Sequence, residues 1–140
     1  MKLVDLRIGN YLWYEHTTHI VDGIYENMIY SWWVKDGDPV IEYEMKDVGG
    51  AMVKNPYRDL ISQYEPILLT EEWLEKFGFE VKDKNRLDWV KGAFNLERSN
   101  EDDSKFCFEV YSHYIPLDYV HQFQNLYYAL TREELQLKIE

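Results

Sequence analysis

Apolar residues at Tyr119, Val120, Phe123, Leu126, Tyr127 and Leu130 recur at the spacing of one helix face, and no other stretch constrains the fold of this chain as strongly. The segment from Ile115 to Leu135 therefore predicts a packed helix. At 100° per residue the stripe leaves His121, Gln124, Asn125 and Tyr128 on the opposite side. An uncharged polar face of this kind is a candidate surface for recognising a partner.

The first half has a different period. Leu6 to Tyr14, Thr18 to Tyr25, Met28 to Lys35 and Val40 to Met45 read as strands, punctuated by Gly9-Asn10, Glu26-Asn27, Asp36-Gly37 and Gly49-Gly50. Glu26-Asn27 and Asp36-Gly37 stand at hairpin distance between apolar runs, so the pattern is a β-meander. A fifth strand near Leu60 to Tyr64 lets the meander curl into a small SH3-like barrel, which removes open sheet edges.

Glu65-Pro66 marks a boundary, and a short helix follows it. Thr70 suits the N-cap, Glu71 and Glu72 favour the positive end of the helix dipole, and Leu69 and Leu74 form a hydrophobic staple. Gly78 ends the helix in a left-handed turn that places Phe79 over Leu74. Beyond it, Arg86 to Val90, Ala93 to Arg98 and Phe106 to Tyr111 read as strands, separated by Lys91-Gly92 and by the polar loop Ser99 to Ser104. Leu135, Leu137 and Ile139 alternate like a last strand. The fold class is α+β, with a β-rich module over residues 1–66 and an α+β module with short strands and two helices over residues 67–140. Each is small for a core of its own, so the two are expected to pack together, as two modules sharing an interface or as one integrated domain.

Charge and cysteine usage exclude several classes. A net charge of -11 repels phosphate backbones and anionic membranes, so neither direct nucleic-acid binding nor membrane association is expected. Cys107 is the only cysteine, Asp5 and Arg7 interrupt any apolar leader, and no run approaches a membrane span. A cytoplasmic location follows from these readings.

Leu6-Arg7-Ile8-Gly9-Asn10, then Glu65-Pro66-Ile67-Leu68-Leu69-Thr70-Glu71-Glu72-Trp73-Leu74 with Phe77-Gly78-Phe79, then Tyr119-Val120-His121-Gln122 and Gln124-Asn125-Leu126-Tyr127 with Ala129-Leu130-Thr131, span almost the whole chain in order. They resemble a family of small uncharacterised proteins encoded by gut Bacteroidetes and by their phages and mobile elements. The resemblance implies a bacterial or phage origin and nothing about mechanism.

Candidate chemistry is sparse. His16 and His19 have ligand chemistry, but a spacing of three in a hairpin does not put both on one face, and no metal or cofactor is expected. Cys107 lies between Phe106 and Phe108; if those rings face the core, the thiol faces out, where a nucleophile would still need a partner imidazole. Glu71, Glu72 and Glu75 are explained by helix capping. Asp47-Val48-Gly49-Gly50-Ala51 has glycines without the Lys-Ser/Thr of a phosphate loop. Trp32 and Trp33 point to opposite faces of a strand, one to the core and one outward, where it could anchor a peptide or sugar beside Tyr14, Tyr25 or Tyr43.

The reading that follows is a non-enzymatic module that binds a protein partner, with His121, Gln124, Asn125, Tyr128, Trp32 and Trp33 as the interaction surface. The alternatives are an acidic inhibitor occupying a nucleic-acid site of a host enzyme, with Glu101-Asp102-Asp103 as the densest acidic run, and an undetected hydrolase.

Overall fold

A computed structural model describes residues 2, 5–45, 52–83, 88–98, 105–111 and 113–137. Glu101-Asp102-Asp103, the Asp47 to Ala51 segment, Arg86 and Ile139 lie outside them. The fold is α+β, and the chain divides into two compact units, Met1–Ile67 and Leu68–Glu140. Among the described residues no helix is long and apolar enough to cross a membrane.

In the first unit β1 (Tyr11–Tyr14), β2 (Thr17–Tyr25), β3 (Met28–Lys35) and β4 (Asp38–Pro39) follow one another as antiparallel neighbours. Two-residue turns join them. Glu15 and His16 take φ of 46° and 66°, and Asp36 and Gly37 take 52° and 85°, the paired left-handed geometry that matches strand twist. Beyond the two-stranded ribbon of β5 (Tyr43–Met45) and β6 (Met52–Lys54), β7 (Tyr57–Leu60) pairs with β3. A 3-10 turn at Ile61–Gln63 then carries the chain back to β1, where Trp13 and Glu65 exchange backbone hydrogen bonds of 2.8 Å.

Three sequence expectations need correction here: of the strand expected over Val40 to Met45, only Tyr43–Met45 is a strand, and it pairs with Met52–Lys54 instead of extending the meander. The first strand begins only at Tyr11, because Gly9 (φ 98°) and the Asn10 carboxamide, which accepts from Arg7 N at 2.8 Å, hold residues 7–10 in a turn pinned to Val21. The fifth strand is Tyr57–Leu60, and Leu60 to Tyr64 contains the 3-10 turn instead.

The register of β2 against β3 sets what is inside. Tyr25 faces Met28, but an irregularity between Val21 and Gly23 shifts the pairing, so that Val21 faces Ser31, Ile20 faces Trp32 and His19 faces Trp33. A one-residue bulge of this kind exchanges the faces of every residue beyond it. Val21 and His19 therefore join Ile29 and Ser31 on the side that also carries Leu12, Tyr14 and Tyr64, the core of this unit.

The second unit opens with α1 (Glu71–Lys76). Thr70 Oγ1 accepts from Trp73 N, Gly78 N donates to Glu75 O and Phe79 N donates to Leu74 O, each of the last two at 2.9 Å, which closes the helix as a Schellman motif. Strands β8 (Glu80–Asp83), β9 (Asp88–Lys91), β10 (Phe94–Arg98), β11 (Phe106–Val110) and β12 (His113–Leu117) form an antiparallel meander in chain order. Ile115 to Leu117, at the start of the segment expected to be helical, belong to β12. The helix proper is α2 (Val120–Thr131), started by Gln122 Oε1 accepting from Asp118 N and Tyr119 N, and ended by Arg132 at φ 61°.

Helix α2 is rolled away from its apolar stripe. Val120, His121, Phe123, Gln124 and Tyr127 are buried, Leu126 is half-buried and Leu130 is exposed. The cause is an aromatic clasp: Phe123 lies 6.2 Å from Phe77, 5.2 Å from Phe79 and 5.9 Å from Phe94, and Tyr127 lies 5.1 Å from Phe94. These rings fix the roll around Phe123 and Tyr127 and leave Leu130 on the outside. Residues 133–137 form no strand, and Leu135 is buried among them.

Leu69, Leu74, Phe77 and Phe79 are all buried around the α1 terminus, and Gly78 has φ 89°. Gly78→Ala is expected to lower the unfolding free energy by about 1 kcal/mol or more, because a Cβ is strained in the left-handed region. Urea titration followed by tryptophan fluorescence measures it; a mutant as stable as the parent would contradict the capping account.

Candidate functional site

Four side chains, Ser31, Tyr14, Tyr57 and Tyr64, converge on His19. Its Nδ1 lies 2.9 Å from Ser31 Oγ, which lies 2.8 Å from Tyr64 Oη, and Tyr64 Oη donates to Ile29 O at 3.4 Å. Tyr14 and Tyr57 stand edge-on to the imidazole at 5.0 Å and 5.1 Å, and Tyr14 stacks on Tyr64 at 4.4 Å. Tyr14 Oη donates to Asp59 Oδ2 at 2.8 Å, and Leu60 N donates to Asp59 Oδ1 at 2.8 Å. The β1–β2 turn, the bulge in β2, the β3–β7 register and the 3-10 turn each contribute one wall.

Burial decides the chemistry of this cluster. His19, Ser31, Tyr14 and Tyr64 are buried, whereas Tyr57 is 39% exposed, Asp59 and Trp33 are half-buried and Glu15 is exposed. Burial lowers the His19 pKa to about 4, so the imidazole is neutral at pH 7. Burial also raises the Tyr14 and Tyr64 phenols; at Tyr14 the Asp59 hydrogen bond and the charges of Asp59 and Glu15 add to the effect. The interior is thus a neutral hydrogen-bonded chain, and the negative charge lies at its rim. A serine nucleophile must be reachable, and Ser31 is completely enclosed.

The residues nominated from sequence fall in different units. Trp32 is buried on the opposite side of β3 from Ser31, and Trp33 is the half-buried member of the pair, beside His19. His121 and Gln124 belong to the interior rather than to a surface, because the roll of α2 carries them inward and the Tyr119 ring stacks on His121 at 5.9 Å. Asn125 is half-buried, and Tyr128 is 40% exposed. His16 is exposed in its turn while His19 is buried, so the two share no site. Among the described residues no group of three or more His, Cys, Asp or Glu side chains is arranged to hold a metal.

Cys107 does not face out. Phe106 and Cys107 are both buried, so β11 is covered on both sides, and burial together with the charges of Glu97 and Glu109 raises the thiol pKa.

Sequence reading missed Ser31, Tyr57, Asp59 and Tyr64 because the contacts that unite them join residues 12, 33 and 45 positions apart. The signal present was the high tyrosine count, which carries no positional information. Comparison with protein-family models, with curated proteins and with solved structures finds no match.

Two outcomes follow from the burial. The His19 pKa is lower in the fold than its usual 6.5, so between these values the unfolded chain binds a proton that the fold excludes. This contribution, on the order of 3 kcal/mol, is present above about pH 6.5 and is lost as pH falls towards 4. Urea unfolding between pH 7 and 4 should show a steeper loss in the parent than in His19→Phe; equal slopes would contradict it. Cys107 should react with a disulfide reagent much more slowly in the native protein than in urea, and fast native labelling would place the thiol outside.

Proposed function

We propose that this chain is a non-enzymatic protein-binding module of bacterial or phage origin, working in the cytoplasm, and that its first unit is a small SH3-like barrel. The strand order β1-β2-β3-β7, followed by a 3-10 turn and a return to β1 at Glu65, supports the barrel reading. The observation that carries the binding function is the contrast within one cluster. Its reactive groups, Ser31 and His19, are enclosed, while Tyr57 is 39% exposed on a bed formed by the His19 and Tyr14 rings and Trp33 beside His19 is half-buried. Rings held in place from behind make contact at small cost in side-chain entropy.

Replacing Tyr57 with a photo-crosslinking phenylalanine analogue tests this in cells of the source organism, with the exposed Lys82 as the control position. The expected outcome is a discrete protein adduct from position 57 that position 82 does not form. No adduct, or the same adducts from both positions, would remove the reading.

A further inference from the structure

We propose that the Tyr57 and Trp33 rings, with Asp59 and Glu15 beside them, dock a cationic side chain, arginine or lysine, carried on an extended segment of the protein partner. This deepens the protein-binding reading and rests on it.

The argument begins with the rings. Tyr57 is 39% exposed and is supported edge-on by His19 at 5.1 Å and by Tyr14 at 6.4 Å. Trp33 is half-buried and stands opposite His19 across β2 and β3, so its side chain lies on the same face, about 5 Å away at Cβ. Aromatic faces attract cations through their quadrupole, and guanidinium groups stack on them readily.

Charge selects among possible occupants. Asp59 is held by Tyr14 Oη and Leu60 N, each at 2.8 Å, so its negative charge is fixed in position rather than free to turn away. Glu15 is exposed in the turn next to Tyr14. Among the described residues Asp59 and Glu15 stand in no ion pair such as those that join Lys76 to Glu72 and Arg98 to Glu71. The charges of both carboxylates raise the Tyr14 and Tyr64 phenols. Arg58 pairs with Tyr30 on the other face of β7, Lys35 stands two residues beyond Trp33 opposite Asp38, and His16 is exposed beside Glu15. His19, behind the Tyr57 ring, is neutral at pH 7 and supplies no resident cation. An aromatic face with one fixed carboxylate, Asp59, and a second, exposed one, Glu15, near its rim is complementary to a cation, and the chain's net charge of -11 steers basic partners towards it.

The probe is the capped peptide Gly-Gly-Arg-Gly-Gly, titrated into the isotope-labelled full chain and followed by amide and indole chemical shifts. Its lysine counterpart and a citrulline isostere are run alongside. Saturable shifts confined to Glu15, Trp33, Tyr57 and Asp59, absent with citrulline and weakened about fivefold in Tyr57→Ala, are expected. Asp59→Asn, which keeps an acceptor for Tyr14, and Glu15→Gln, at an exposed turn, should weaken binding without unfolding the chain. Shifts scattered over other acidic residues, equal shifts with citrulline, or no shifts at all would overturn the proposal. A crosslink at position 57 with no arginine or lysine binding would leave the protein-binding module standing without this ligand.

Discussion

The first unit depends on a single irregularity in β2. Without the bulge between Val21 and Gly23, Val21 and His19 would share a face with Met28 and Tyr30, and the face of Ile29 and Ser31 would lose both. With it, His19 enters the core and must be satisfied there, which Ser31 and Tyr64 do through one continuous hydrogen-bonded chain ending near Ile29 O. Tyr64 Oη gives its one proton to Ile29 O, so the chain runs one way, with His19 Nδ1 donating to Ser31 Oγ and Ser31 Oγ donating to Tyr64 Oη. A buried polar group left without such partners costs roughly 1–3 kcal/mol, so the register and the network require each other.

The second unit is organised by aromatic packing. Gly78 turns the chain after α1 so that Phe79 can reach Phe94 and Phe123, and Lys91 Nζ donates to Phe77 O at 3.0 Å while lying 5.8 Å from the Tyr127 ring. That lysine places a positive charge at the negative end of α1, where the helix dipole favours it. The same rings fix the roll of α2, and the roll decides that His121 and Gln124 are interior residues.

Together these constraints place chemistry and contact in different locations. The His19 imidazole, the Ser31 hydroxyl and the Cys107 thiol are enclosed, and burial favours the neutral forms of His19 and Cys107. The exposed resources of the cluster are ring surface and carboxylate charge.

Local features were legible in the residues themselves. Thr70, Leu69, Leu74, Gly78 and Phe79 specify both ends of α1 within a few positions, and Met28–Lys35 and the turn at Asp36-Gly37 are determined by alternation and by glycine's freedom at positive φ. These depend on neighbours in sequence, where propensity and capping act. Tertiary structure decided the rest. The bulge at Val21, the roll of α2 around Phe123 and the meeting of Tyr14 with Asp59 across 45 positions are settled by packing between distant segments. A one-residue shift in a strand, or a modest roll of a helix, leaves local propensity unchanged yet moves His19 and His121 from surface to core, because only burial against particular partners distinguishes the two arrangements.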